Sequence, residues 1–336
     1  MRGHRFFIYR RAWGWRAVTS FPPLANARRP AAAARDIEFP SHGVTCRAWL
    51  SQPDSEVLRN ERGSPALVMA HGTAGIRQQL KHYVPRFMAA GLHVLLFDYR
   101  HFGDSDGQPR QLLSIRRQLQ DYAAALEFIR RVPGVDPDRV AVWGSSLAGG
   151  HVVDVAVRDG RVAAVISQNP AMDNVATAFR IVEYAGIGQI LKLAGLGIVD
   201  MARSLLWLSP KMVPAGGAPG ELAMMTSSDT LAGLNRLATP GWRNELCARI
   251  SLSGPFHRPG LKAHRLPCPI LIAICDKDSV APTDAAEATA RRAGQRATVK
   301  HYPIGHFDIY VDEWFERSVS DQVDFLNKTL ASNRIQ

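Results

Sequence analysis

Three residue types that together perform acyl chemistry stand in separate parts of this 336-residue chain: Ser146, Asp278 and His306. Ser146 lies in Val140-Ala-Val-Trp-Gly-Ser-Ser-Leu-Ala-Gly-Gly150, an apolar run of strand length that turns through glycine into a helix-compatible segment. A serine at a strand-to-helix corner is lifted above the sheet edge by a strained backbone, and small residues must flank it where helix and strand pass closely. Gly144 and Ala148 fill those positions around Ser146. Reading Ser145 as the nucleophile instead would put Trp143 at the first small position. A serine hydroxyl is a weak nucleophile until a neutral imidazole takes its proton, and the imidazole needs a carboxylate to fix its tautomer and stabilise its cation.

The other two groups follow later apolar runs. Pro269-Ile-Leu-Ile-Ala-Ile-Cys275 is followed by Asp276 and Asp278, and Ala297-Thr-Val-Lys-His-Tyr302 by His306 in Gly305-His-Phe307. Asp278 is the preferred acid; Asp276 sits nearer the strand and suits a bracing role, while Asp308 is too close to His306 in sequence. The order Ser, Asp, His is the order of α/β-hydrolases. Two backbone amides must face the developing oxyanion, each worth roughly 2.7–4 kcal/mol. Leu147, following the nucleophile, supplies one; Thr73 in His71-Gly-Thr supplies the other, with Ala74 as the fallback and His71 structural.

Alternating elements must position these groups. Ala66–Ala70, Leu92–Asp98 and Val162–Ser167 read as strands buried on both faces. Ile115, Leu119, Tyr122, Leu126 and Ile129 are spaced 4, 3, 4, 3 as one helix stripe, and a terminal helix carries Val311, Phe315, Val319, Val323, Leu326 and Leu330. Asp36–Pro40 and Val44–Ser51 form a plausible hairpin around Ser41-His-Gly43. Strands alternating with helices imply a mostly parallel sheet with chemistry beyond its carboxyl edge. Alternation stops at Asn169-Pro170 and resumes near 266, so 171–265 is expected to be a helical cap on a catalytic domain of 36–170 plus 266–336. Met224, Met225, Trp207 and Trp242 either line an apolar acyl pocket or pack the cap's own core. The apolar tract Tyr184 to Val199 either belongs to the cap or touches lipid or a partner helix.

Composition bounds the alternatives. Hydrophobic content of 46% and charged content of 21% describe an ordinary globular chain. Of the net +11, eight charges are arginines within residues 1–35, which contain no acid, so only three remain after Arg35. A nearly neutral body argues against nucleic-acid binding. The arginine-rich leader reads as a disordered tail or a mis-assigned start, with an organelle transit peptide as the third option; it lacks the apolar core of a secretory signal. No apolar run reaches the ~18 residues of a membrane span. Four widely spaced cysteines form no C-x-x-C pair, which favours a reducing cytoplasm and leaves Cys275 a small core residue. No metal-ligand spacing occurs, and the chemistry needs no cofactor.

On His71-Gly-Thr, Phe97-Asp-Tyr-Arg-His-Phe-Gly-Asp-Ser105, Val135-Asp-Pro-Asp-Arg-Val-Ala-Val-Trp-Gly-Ser-Ser146 and Gly305-His-Phe307, the chain resembles the α/β-hydrolase superfamily. The nearest branch holds dienelactone hydrolases, acetyl-xylan and cocaine esterases, Xaa-Pro dipeptidyl-peptidase-like proteins and fungal polyketide transferases. The resemblance covers about 40–170 and 266–333. It implies a central sheet with helices on both faces, a Ser146–His306–Asp278 triad, and Thr73 and Leu147 as the oxyanion hole. Ala148 in place of a second glycine, and His101 where such loops often hold glycine, depart from the pattern and would narrow the pocket. The expected activity is hydrolysis of a small ester or thioester through an acyl-enzyme. Acyl transfer, peptidase action near proline and a non-catalytic binding module are the alternatives. A homo-oligomer is compatible with all of them.

Overall fold

A computed structural model describes residues 34–331. The leader expected at 1–35 therefore lies almost wholly outside the described residues. Its last residue does not belong with it, because Arg35 pairs with Leu50 in the first hairpin.

The elements in chain order are β1 (Arg35–Ser41), β2 (Val44–Ser51), β3 (Ser64–Ala70), α1 (Val84–Ala89), β4 (His93–Phe97), α2 (Ile115–Ile129), β5 (Val135–Ser145), α3 (Leu147–Asp159) and β6 (Ala164–Gln168). An insertion follows with α4 (Asn174–Ala185), α5 (Ile187–Leu205), β7 (Met212–Val213), α6 (Thr230–Leu237), β8 (Leu246–Cys247) and α7 (Ile250–Ser253). The chain then completes the sheet with β9 (Ile270–Cys275), α8 (Thr283–Ala293), β10 (Ala297–Tyr302) and α9 (Asp312–Leu330).

Eight strands form one sheet in the order β1-β2-β4-β3-β5-β6-β9-β10. Only the pairings of β2 with β1 and β4 are antiparallel; the six strands from β4 to β10 run parallel. Every residue of β3, β4, β6 and β9 is buried, which is what a continuous apolar run requires when helices cover both faces. Two apolar clusters result, one per face, with Val140 and Val142 in one and Ala141 and Trp143 in the other. Trp143 is fully buried, and its indole N–H donates to Gln322 on α9 at 2.8 Å. Burying a large side chain of this kind stabilises the fold by roughly 1.5–3 kcal/mol, provided its polar atom is satisfied.

The parallel order puts β5 in the middle, between β3 and β6, so the corner after β5 opens at the centre of the sheet's carboxyl edge. The loops after β3, β6, β9 and β10 converge there. The insertion leaves the sheet at β6 and returns at β9, the strand beside it, which places α4–α7 against the same edge.

Candidate active site

Ser146 joins β5 directly to α3 with φ 56° and ψ −120°, a backbone that residues other than glycine rarely adopt. Three hydrogen bonds hold it there: its amide donates to the Gln168 carbonyl at 3.0 Å, and its carbonyl accepts the Ala171 amide at 2.9 Å and the Gly150 amide at 3.3 Å. Glycine is needed at two nearby positions. A Cβ on Gly144 would lie 2.1 Å from the Ala148 carbonyl oxygen, and one on Gly72 would lie 2.9 Å from the Ser146 Cβ. Ala148 itself is buried against this corner and lines neither cavity at the site, so it does not narrow the pocket as its departure from the glycine pattern suggested.

His306 reaches the serine from the loop after β10. Its Nε2 lies 3.2 Å from the Ser146 Oγ, and its Nδ1 lies 2.6 Å from the Asp278 Oδ2. The other Asp278 oxygen accepts the amides of Val280 and Ala281 at 2.8 and 2.7 Å, which fixes the carboxylate and satisfies its charge in a buried place. Two donors, the Ser146 hydroxyl and the Asn169 side-chain amide at 3.3 Å, converge on Nε2. Nε2 is thus the acceptor and Nδ1–H donates to Asp278, the tautomer a general base needs. Asp276 is elsewhere: it meets His301 at 2.7 Å on the exposed side of β10. Asp308 accepts the Gly305 amide at 3.0 Å and pairs with Arg236.

Thr73 and Leu147 both border the cavity that contains Ser146. Leu147 is the first residue of α3, where helix amides have no intrahelical acceptor. Neither amide has a hydrogen-bond acceptor among the described residues, so both are available to an oxyanion above Ser146. His71 is buried beneath them, its Nδ1–H donating to the Gly72 carbonyl at 3.0 Å and its ring packed edge-on against Tyr99. Burial holds its pKa down and keeps it neutral.

Two cavities meet at Ser146. The larger, about 140 Å³, is walled by Ile181, Ile190, Leu193, Met224 and Ile250 from the insertion and by Leu113 below. The smaller, about 60 Å³, lies on the His306 side between Gln79, Leu237, Trp242 and Phe307. Met225 and Thr73 border both. The tryptophans divide: Trp242 donates its indole N–H to the Ala74 carbonyl at 3.0 Å beside the smaller cavity. Trp207 is 96% exposed and neither lines a pocket nor packs a core, contrary to both readings offered for it.

In the loop after β4, residues 98–105 border neither cavity, although Leu113 near its end walls the larger one. Asp98 is buried and binds Arg77 through its carboxylate, while a Cβ on Gly103 would lie 2.2 Å from that same carboxylate. His101 has φ 75°, the left-handed backbone that explains why glycine suits the position. Its main chain is pinned to Asp106 and Gln111, its ring meets Arg117 at 3.0 Å, and it borders neither cavity.

Asn169 and Tyr310 are the residues that motif reasoning missed. The Asn169 side-chain amide donates to the His306 carbonyl at 2.9 Å, and the Tyr310 hydroxyl bonds the Ser145 Oγ. Burial pushes the Tyr310 phenol up to about 12, so it stays protonated. The signal for Asn169 was its place immediately beyond a buried strand, where the sheet rule directs attention.

An eight-stranded sheet of this order with a serine at the corner after its central parallel strand defines an α/β-hydrolase. Residues 63–313 match the family model described as serine aminopeptidase, S33, and the chain belongs to that family. Among curated relatives it is 42% identical over 301 residues to the quorum-quenching protein AidA of Acinetobacter baumannii, covering 88% of this chain and 95% of that one. It is 27% identical to the thiohydrolase aneE of Aspergillus aculeatus, over 81% of this chain and 87% of the relative. The crystal structure of the α/β hydrolase GrgF from Penicillium superposes with a TM-score of 0.73 at 24% identity, covering 89% of this chain and 99% of that one. The protein is an α/β-hydrolase enzyme.

Proposed function

We propose that the protein cleaves a small carboxylic ester or thioester through an acyl-enzyme, with Ser146 as nucleophile, His306 as general base and acid, and Asp278 as the group that orients His306. One observation carries this reading: the continuous run from the Asp278 carboxylate through His306 to the Ser146 hydroxyl, at 2.6 and 3.2 Å. Ser146 Oγ attacks the carbonyl carbon while its proton passes to His306 Nε2. The oxyanion then sits against the amides of Leu147 and Thr73. On collapse the C–O or C–S bond breaks, and His306 returns the proton to the departing oxygen or sulfur. Water repeats the cycle and releases the acid.

The acyl group fits the larger, apolar cavity, and the leaving group the smaller one beside His306. In this reading residues 171–265 act as a cap whose inner face selects the acyl chain, favouring short to medium groups. Relatives named for thiohydrolysis and polyketide transfer support either water or a second nucleophile as the acceptor. The name of the Acinetobacter relative supports a quorum-sensing signal molecule as a substrate worth assaying. A peptidase that recognises a substrate amine needs a carboxylate at its site, and neither cavity is bordered by one, which weighs against that activity and against the Xaa-Pro member of the branch resemblance. Four buried free thiols fit a cytoplasmic setting. No described helix is long and apolar enough to cross a membrane.

The test is a series of nitrophenyl esters of increasing chain length, with and without an added alcohol or amine, followed by product analysis. Hydrolysis peaking at short to medium chains is expected. Best turnover on long-chain lipid, or no turnover of any ester or thioester, would overturn the assignment.

A further inference from the structure

α5 is apolar on two faces, and only one of them is used by its own chain. The inner face is firmly seated: Gln189 donates to the Ala223 carbonyl at 2.8 Å, and Asp200 accepts Arg249 at 2.6 Å. A Cβ on Gly197 would come within 2.4 Å of the Ser251 Oγ. The outward face is therefore not a product of loose docking. It carries Ile187, Leu191, Ala194, Ile198, Met201 and Leu205, spaced 4, 3, 4, 3, 4, and no charged residue lies along this line. Leu191 is 65%, Ile198 61% and Leu205 76% exposed. The row runs on into Leu206 and Trp207, whose ring projects into solvent from a residue with φ 56°.

These side chains leave on the order of 1,000 Å² in solvent, above the ~300–600 Å² of the largest patch on a typical monomer. The area is close to the ~800 Å² that each partner contributes to a standard interface. The spacing is that of a helix seam into which another helix interlocks, and Leu, Met and Trp without charge match an interface core. Gly188 and Gly195 flank the seam with open space around them, which lets a second backbone approach. A bilayer-docking helix would instead carry a basic rim; here only Lys192 and Arg203 flank the row, and Arg203 is bonded to Ser209.

We propose that the outward face of α5 is an isologous interface, in which two copies of this chain pack α5 against α5 about a two-fold axis. In such a pairing the same patch serves both subunits, so one row of apolar side chains is sufficient. The inner face of the helix supplies Ile190 and Leu193 to the apolar cavity, so the partner would brace the wall of that cavity from outside. The proposal does not depend on the reaction assigned to Ser146.

The test is light scattering on the full chain at tens of micromolar, beside the double substitution Leu191→Glu with Ile198→Glu. The wild type is expected at twice the 37.0 kDa of one chain, and the double variant at half the wild-type mass with its near-ultraviolet circular dichroism unchanged. In a second measurement, Ala194→Cys adds one accessible thiol to a chain whose four cysteines are buried, and a short bismaleimide should link it into a species of twice the mass. A wild type of single-chain mass overturns the proposal, including one that instead sediments with phosphatidylglycerol vesicles. So does a doubled mass that survives the double substitution, or an Ala194→Cys chain that does not cross-link.

Discussion

The Nδ1 of His306 lies 2.6 Å from the Asp278 Oδ2, while Asp276, two residues earlier, faces the opposite way and meets His301 at the surface. The turn after β9, closed by the Asp278 amide donating to the Cys275 carbonyl at 3.0 Å, thus separates two carboxylates that sequence alone leaves in competition. Asp278→Asn should lower kcat by roughly 10⁴-fold, because the wrong tautomer of His306 then faces Ser146. Asp276→Asn should change kcat by less than about threefold, since exposed pairs contribute little. Steady-state kinetics of the two variants side by side checks this; equal losses would remove Asp278 from its role.

Asn169 holds the main chain of His306 and shares its Nε2, and Tyr310 ties the same loop to Ser145. Asn169 borders neither cavity at Ser146, so it should act on geometry. Asn169→Ala should lower kcat by roughly 10- to 100-fold with KM within twofold, the signature of a misplaced base. Tyr310→Phe should show a smaller loss of the same kind. A change confined to KM would mean that Asn169 binds substrate instead.

The larger cavity makes chain length measurable. Each methylene that becomes buried contributes about 0.8 kcal/mol, so kcat/KM should rise about fourfold per carbon until the cavity is full. Ala178, on α4, borders this space. Ala178→Phe should move the optimum to shorter acyl groups while leaving the shortest ester almost unaffected. An unchanged chain-length profile would place the acyl group elsewhere.

Much of this arrangement is legible in the chain because the sheet is parallel and doubly covered. Ala66–Ala70 and Ile270–Cys275 must be apolar throughout, and that announces both the strands and the edge where Ser146, Asp278 and His306 emerge. The stripe from Ile115 to Ile129 marks α2, since one face packs and the other is wet. The insertion was less legible. α5 is apolar on both faces, and β7 and β8 are two residues each, so no single period marks where its elements begin. Trp207 misled for a related reason: its type predicts burial, whereas the backbone after α5 turns it outward. His101 misled because a left-handed backbone was read as a pocket residue.

Stability should fall on mild acidification. Burial holds His82 and His257 at about 4, against about 6.5 in an unfolded chain. Between those values the unfolded state binds protons that the folded state refuses, so stability is full above pH 6.5 and is lost as pH drops toward 4. Each histidine contributes a slope of up to about 1.4 kcal/mol per pH unit. Urea melts at pH 7.5 and 5 should show a lower midpoint at pH 5, and an equal or higher midpoint would contradict the neutral burial of these rings.

The central claim is that Ser146, and no other serine, is the nucleophile activated by His306. Fluorophosphonate labelling followed by peptide mapping tests it most directly, because the reagent requires an activated hydroxyl. The account predicts one label per chain, on Ser146, absent in Ser146→Ala and strongly slowed in His306→Ala while both variants remain folded. Labelling that persists in Ser146→Ala, on Ser145 or elsewhere, or no labelling of the folded wild type, would contradict it.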